Sequence, residues 1–468
     1  MVGLSGNWAR VPQRGLEENM ATGVETGGTN FYRAEFLRRE KDLAGSHQPW
    51  VRNLRNKAMD RFTKVGFPTS RQEEWKYTNI APILKPLFRP AVPGSCGLPP
   101  QALSSLPFRG LSEMTMVFVN GYYCPELSSI KPFFDGVKVS SLADPLKTEA
   151  VFLEPYLARF ASYQDHAFVA LNTAFMEDGA WVRVPKNTTV EKPIHLLFLS
   201  TASGEATVSY PRNLIVVGEN SRVTIVESYC GLENEVYLTN AVTEIIAGEN
   251  AVIEHYKLEW EDAKAFHLET VQVQQGRQSQ VTSYSVALGG ALVRNEVNDV
   301  LDGEGAGCAL YGLYLVDGQR FVDNHTKIDH VKPHTTSREL YKGALDGKGR
   351  AVFNGQIVVH PSASGTDAKQ TNKNLLLSRE ASVNSKPQLE ISNNDVKCTH
   401  GSTIGQLDAE ALFYLRSRGI EREEARRLLT YAFASEIVRS MSVGSVRESL
   451  DRMVRMDLPG ETGLSGTL

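Results

Sequence analysis

The chain has 468 residues, 41% of them apolar and 22% charged, enough for one large core with smaller flanking domains and ordinary for a soluble globular protein. A formal net charge of −4 argues against non-specific nucleic-acid binding, and no apolar run reaches bilayer-spanning length. The opening residues lack the apolar stretch of a secretory signal and carry Glu17 and Glu18, which suits a transit peptide poorly, so the expected location is the cytoplasm.

Residues 1–30 are rich in Gly, Thr and Asn without an apolar period and are expected to be a disordered tail, within which the translation start can lie. An N-terminal mixed helical domain and linker is expected over 31–165. Leu37, Leu43, Leu54, Ala58 and Phe62 among charged residues give its helical pattern, which Pro68 breaks. Ser70-Arg71-Gln72-Glu73 then has the form of a capping box, in which serine and glutamate satisfy each other's backbone N–H groups. Residues 86–110, with several Pro and Gly, suggest a linker, and Met116-Val117-Phe118-Val119 before Asn120-Gly121 suggests a strand entering a tight turn.

From about Asn172 to Thr403 short runs rich in Val, Ile, Leu, Thr and Tyr alternate with turns, and a β core over 166–403 is expected. Gly218-Glu219-Asn220-Ser221 and Gly248-Glu249-Asn250-Ala251 are near copies, and with Gly276 and Gly303 they make a series spaced about 27 to 30 residues apart. Glycine at each corner would let the backbone take positive φ. The period favours stacked coils, a β-solenoid; a sandwich with regular hairpins is the competing arrangement.

A C-terminal helical domain is expected over 404–445 and a tail over 446–468. Asp408 caps a first helix that Gly419 stops. In a second helix, Ala425, Leu428, Leu429, Ala432, Phe433, Ile437 and Met441 make an apolar stripe that must cover the solenoid end, a partner, or both.

Five cysteines (Cys96, Cys124, Cys230, Cys308 and Cys398), none in a CxxC pair, exclude a dense disulfide framework and a metal site built from cysteine alone. The glycine-rich stretches at 302–307 and 343–349 match neither a phosphate-binding loop nor a dinucleotide fingerprint and read as solenoid corners. His325, His330 and His334, with Asp323 and Asp329, offer ligand-type side chains, but spacings of five and four on extended chain splay them over both faces, which favours a polar surface. Cys398-Thr399-His400 places thiol and imidazole on one strand face, where they converge on a ligand or an interface; a packed cysteine with a hydrogen-bonded histidine is the alternative. A thiolate beside an imidazolium would be the more nucleophilic and the softer toward iron.

Three stretches together resemble the SufB/SufD family: 66–78 (Gly66-Phe67-Pro68 through Trp75-Lys76-Tyr77-Thr78), 172–186, and the longest, from His325-Thr326-Lys327-Ile328-Asp329-His330 through Cys398-Thr399-His400-Gly401 to Gly419-Ile420. The likeness covers residues 60–440 and is on the SufD side. Where SufB-type chains carry a scaffold cysteine this one reads Ser378 to Asn384 without cysteine, and Gly401 stands where they tend to have glutamate. The resemblance implies a mainly β fold, a right-handed parallel β-helix core with α-helical N- and C-terminal domains. It also implies a non-enzymatic scaffold subunit in a complex of one SufB, one SufD and two copies of the ATPase SufC, with a homodimer as the form in isolation. The nascent iron–sulfur cluster would be shared with SufB, His400 and Cys398 lying near it. SufC would dock on the helix bearing Ala425, Leu428, Leu429, Ala432, Phe433 and Ile437. A reduced flavin accompanies the complex in some members, but no flavin motif occurs here. The competing function is a carbohydrate-active β-helix enzyme, with Asp317, Asp323, Asp329 and Asp367 as candidate carboxylates.

Overall fold

The corners decide the architecture. Asn187, Asn220, Asn250, Gln278, Gly305, His334 and Gly365 all lie in the left-handed region, with φ between 53° and 73°. Asn tolerates that region better than other non-glycine residues. Each N–H donates to the next coil, as Asn220 to Glu249 O and Asn250 to Arg277 O, both at 2.8 Å. The side-chain amides ladder as well: Asn250 Nδ2 donates to Asn220 Oδ1 at 2.9 Å and Asn220 Nδ2 to Asn187 Oδ1 at 3.0 Å. The expectation that the leading glycines supply the positive φ is thereby corrected, because that role falls two residues later. The leading glycines are needed for close approach: a Cβ on Gly303 would lie 2.1 Å from Arg277 N.

The fold is known from a computed structural model that describes residues 28–458 apart from 95, 99–102, 104–105, 131–135, 202–204 and 232–235. Of the expected tail over residues 1–30, residues 1–27 lie outside the described residues, and 28–30 are corrected: they open the first helix, held by its packing against the sheet. The chain winds a parallel β-solenoid of about seven coils, two long strands per coil. The first sheet stacks Arg212–Val217, Tyr237–Ala247, Phe266–Gln275, Leu292–Leu301, Phe321–His330, Arg350–Val359 and Ser382–Ile391. The second stacks Arg222–Gly231, Val252–Trp260, Gln280–Ala287, Gly307–Val316, Thr336–Leu345, Thr366–Leu376 and Val396–Gly405. Alternate residues of every strand face the lumen, so the register builds continuous interior rows. One runs Val223, Ile253, Val281, Cys308, Ser337, Ala368, Cys398 and another Ile225, His255, Ser283, Leu310, Glu339, Gln370, His400.

Helices cover the outer faces. On the first sheet lie α1 (28–39), α2 (Pro49–Val65) and α3 (Ala167–Phe175), through Phe36, Phe62, Phe168 and Phe175. Asn172 to Phe175, expected to open the β core, are therefore helical; the coil proper begins after Gly179. Arg212 and Glu244, both fully buried, pair at 2.5 Å, and Glu244 also accepts the N–H groups of Ala158, Phe160 and Ala161. Charge and hydrogen bonds together satisfy a carboxylate that burial alone would penalise.

On the second sheet lie α5 (Arg422–Ser440) and α6 (Gly444–Asp457), with α4 (Ala409–Ser417) beside α5. The Asp408 carboxylate accepts Glu410 N at 2.9 Å and Gly419 has φ 86°, as the sequence predicts. The tail expected from 446 is corrected: α6 buries Val446, Leu450 and Val454, and Ser445 and Ser449 donate to Leu111 O and Pro107 O at 2.7 Å. The stripe on α5 is corrected too. At 3.6 residues per turn Leu428 and Ala432 point away from Thr430, Ala434 and Ile437, and only the second set is buried. That inner face covers the flank of the second sheet, where Tyr256, Tyr284 and Tyr311 stack at 4.8 and 5.0 Å and Tyr284 OH donates to Ser440 O. It does not cover the solenoid end.

Candidate functional site

The two ends of the solenoid differ. At the start, Met114–Val119 turns through Asn120 and Gly121 into Tyr122–Tyr123, and Lys138–Ser141 runs antiparallel to Ala180–Val184, so both sheets are closed by short antiparallel pieces. At the other end Ser382–Ile391 and Val396–Gly405 are terminal strands, whose outer edges carry no further strand among the described residues. Ile391 and Ile404 are 44% and 50% exposed there. The mouth behind them is polar: Ser402 Oγ donates to Ser385 Oγ at 2.7 Å, and Ser385 Oγ to Asn372 Oδ1 at 2.8 Å.

Cys398 and His400 stand on this rim, at the ends of the two interior rows described above. His400 is exposed and Cys398 half-buried. Burial pushes the Cys398 thiol pKa up, so the thiolate activation expected from its neighbour is corrected: the resting group is a neutral thiol. An imidazole and a thiol from one strand are two donors, too few to close a four-coordinate iron or zinc site. The arrangement suits a ligand shared with a second chain.

Deeper in the lumen a second group of ligand-type side chains is already filled. Glu259, His267 and Glu269 bring donor atoms within 4.8 Å of one another, all buried. Lys257 Nζ lies 2.8 Å from Glu259 and 2.7 Å from Glu269, in the place a metal cation would take. Burial opposes the His267 charge, yet Glu259 first, then Glu261 and Glu269, hold its imidazole pKa well above the usual range. The cluster is an internally balanced ion network.

The remaining candidates separate. His325 and His330 face opposite sides of one strand, as their spacing requires, but neither belongs to a polar surface. His330 is buried between Thr335 and Ser337 at 2.8 and 2.9 Å, and His325 lies under the N-terminal domain, 2.9 Å from Asp323 and 3.3 Å from Glu74. His334 sits in a corner. Each candidate carboxylate is tied to a cation: Asp317 to Arg320, Asp323 to Arg294, Asp329 to Lys327 and Asp367 to Arg338. Asp317 lies in a groove of about 610 Å³ between Tyr77 and Arg320, and no second acidic residue lines it. Of the stripe on α5, Ala425 and Ile437 are buried, Leu429 and Phe433 partly buried, and Leu428 and Ala432 exposed. Helix α4 buries no side chain and exposes Phe413 and Tyr414 by 74% and 57%.

Sequence reasoning missed three features. Glu339 and Gln370, beneath His400, are recognisable only once the register is known. The lumen ion network left a faint signal, charged residues at inward positions of strands such as Val252–Trp260. A disulfide joins Cys96 to Cys124 with Cα atoms 5.7 Å apart, 28 residues apart in sequence. No helix among the described residues is long and apolar enough to cross a membrane.

A parallel solenoid flanked by helices at both termini, with a bare last coil bearing cysteine and histidine, defines the class. The profile of the SufBD core domain of SUF-system iron–sulfur cluster assembly matches residues 198–433, and that of the SufBD N-terminal region matches 28–196. An iron–sulfur cluster assembly SufBD family protein of Synechocystis is 33% identical over 89% of this chain and 93% of its own. The iron–sulfur cluster assembly protein SufD of Escherichia coli is 30% identical over 86% and 92%, and that of Bacillus subtilis 25% over 88% and 95%. The chain belongs to the SufBD family of iron–sulfur cluster assembly proteins.

Proposed function

We propose that this chain is a SufD-type scaffold subunit, without a catalytic site of its own, that pairs with SufB through its open coil and docks the SufC ATPase through its C-terminal helices. The bare coil carries the reading. Unpaired strand edges ten residues long are a template for another chain, and the exposed Ile391 and Ile404 give that contact an apolar margin. On this reading the partner supplies the ligands that Cys398 and His400 lack, and the cluster is cargo held across two chains in the cytoplasm, with any reduced flavin a component of the whole complex. The relatives named SufD and the cysteine-free run from Ser378 to Asn384 favour the SufD role over that of SufB. For SufC the favoured surface is α4 with the outer side of α5, where Phe413, Tyr414 and Leu428 are exposed together on the helical domain.

The test is His400→Ala in the co-expressed complex. Assembly with SufB and SufC should be retained while the yield of cluster, read as iron and sulfide per complex, falls at least tenfold, as expected for loss of a ligand or its support. A normal cluster yield in an intact complex would remove His400 from the assembly site.

A further inference from the structure

The interior row that ends at His400 has a buried amide and a buried carboxylate in the two coils beneath it. Register pairs Glu339 with Gln370 and Gln370 with His400. In-register residues of parallel strands project to the same side, about 4.8 Å apart. Gln370 is fully buried, and its Nε2 donates to Glu339 Oε2 at 2.7 Å. Gly355 makes room for that amide, since a Cβ there would lie 2.2 Å from Gln370 Nε2. The remaining acceptor, Gln370 Oε1, is buried without a partner. Buried carbonyl oxygens are rarely left so. With Glu339 ionised, reversing the amide would turn its oxygen toward the carboxylate, an acceptor against an acceptor, so above the pH at which Glu339 loses its proton the carboxylate fixes which end of Gln370 faces outward.

We infer that Glu339 and Gln370 are positioning residues for His400: Glu339 holds the Gln370 amide, and Gln370 Oε1 accepts the N–H of one His400 ring nitrogen. The other nitrogen is then the one with the free lone pair, and it faces out of the open coil. Neutral imidazole has one donor and one acceptor nitrogen, and a histidine that ligates a metal characteristically gives its spare N–H to a carboxylate or carbonyl. The row of Cys398 has Ala368 and Ser337 at the equivalent places, which offer no such acceptor chain. The inference rests on the reading of His400 as an assembly residue, and adds which residues choose its tautomer.

The test uses the full-length chain labelled with ¹⁵N-histidine, at a pH where imidazole is neutral, with the His400 signals identified by their loss in His400→Gln. The wild type should show one His400 tautomer. Gln370→Met, close to Gln370 in shape but lacking the acceptor, should give a mixture, and Gln370→Glu, which keeps an acceptor oxygen, should restore the single form. In the SufB–SufC complex Gln370→Met should lower cluster yield roughly tenfold or more with assembly intact. A mixed tautomer in the wild type, which needs no variant to detect, or an unchanged His400 signal in a folded Gln370→Met, overturns the inference. Both readouts are independent of cluster chemistry. An unaffected cluster yield in His400→Ala would instead sink the assembly role and leave the tautomer result standing.

Discussion

Lys257 shows what a single side chain does inside the lumen. It bridges Glu259 and Glu269, and without it His267 alone is left to balance the two carboxylates in a site closed to water. Lys257→Met should therefore cost about 3–5 kcal/mol, the usual cost of breaking a buried ion network on one side, measured as a shift in urea midpoint at constant m-value. Because Glu259, His267 and Glu269 already have zinc-type donor spacing, the variant should gain a metal site. Zinc should raise the melting temperature of Lys257→Met and leave the wild type unmoved; equal responses would refute the account of Lys257 as the resident cation. The pKa of Glu339 is shifted in the opposite direction to that of an ion-paired carboxylate. Burial pushes its pKa up to about 7 from 4.5, and burial does the same to Asp299, up to about 7 from 3.8. Between the unfolded and folded values the native state holds a proton that the unfolded chain has released, so stability falls as pH rises through that window. The groups facing Glu339 are Thr326, Gln370, Tyr341 and Cys308. Glu339→Gln should flatten the slope between about pH 4.5 and 7 in urea titrations, leaving the contribution of Asp299. An unchanged slope would mean that Glu339 ionises normally.

At the scale of elements, the segment after Pro68 shows why local rules misread parts of this chain. Ser70 and Glu73 have capping-box spacing, yet the observed element is a 3-10 turn over Glu73–Trp75 without a side-chain cap. Its acidic side chains are taken by distant cations: Glu73 binds Lys386, 313 positions on, and Glu74 lies 3.3 Å from His325. Arg294 lies over the Trp75 ring at 3.8 Å and donates to Glu74 O at 3.0 Å, while Thr78 donates to Asp323. The run is a clamp of the N-terminal domain on the first sheet, and its logic was invisible because every partner lies more than 200 residues away. Trp75→Ala should loosen the clamp by about 2 kcal/mol, the worth of a desolvated cation–π contact, and open residues 66–90 to limited proteolysis. Protection equal to wild type would assign the clamp to the ion pairs alone. The stripe on α5 looks like one face in the sequence for a related reason: the helix is apolar on two sides, and spacing does not tell which side a sheet covers. By contrast α4 is anchored by its Asp408 cap and buries nothing. Phe413→Ser with Tyr414→Ser should leave the melting temperature within about 2 °C, as surface changes do, yet abolish co-purification of SufC. Retained binding would move the docking surface elsewhere.

For the whole molecule, the coil period was legible because each corner must repeat a left-handed residue, and Asn220 and Asn250 advertise that need in the sequence. The contents of the lumen were not, since inward and outward residues of a strand covered on both faces are alike in hydropathy. Nor was the open end legible, because it depends on where the C-terminal helices go. The chain leaves the last coil at Gly405, and α5 and α6 run along the flank of the second sheet back to Pro107 and Leu111, away from the rim. Solenoids need capped ends to stay soluble, and among the described residues only the start of this one is capped. The bare strands Ser382–Ile391 and Val396–Gly405 with Ile391 and Ile404 should therefore find a partner even when none is supplied, and a second copy of the chain offers the same edges. The isolated chain should dimerise end to end in sedimentation equilibrium. Charges on an exposed rim cost the monomer little, so Ile391→Lys with Ile404→Lys should yield a folded monomer with wild-type circular dichroism. The same double change should prevent pairing with SufB while leaving SufC bound, because α4 and the outer side of α5 belong to neither terminal strand. A variant that still dimerises would show that the contact lies away from the open coil, and one that is monomeric but still binds SufB would show that the two partners use different surfaces.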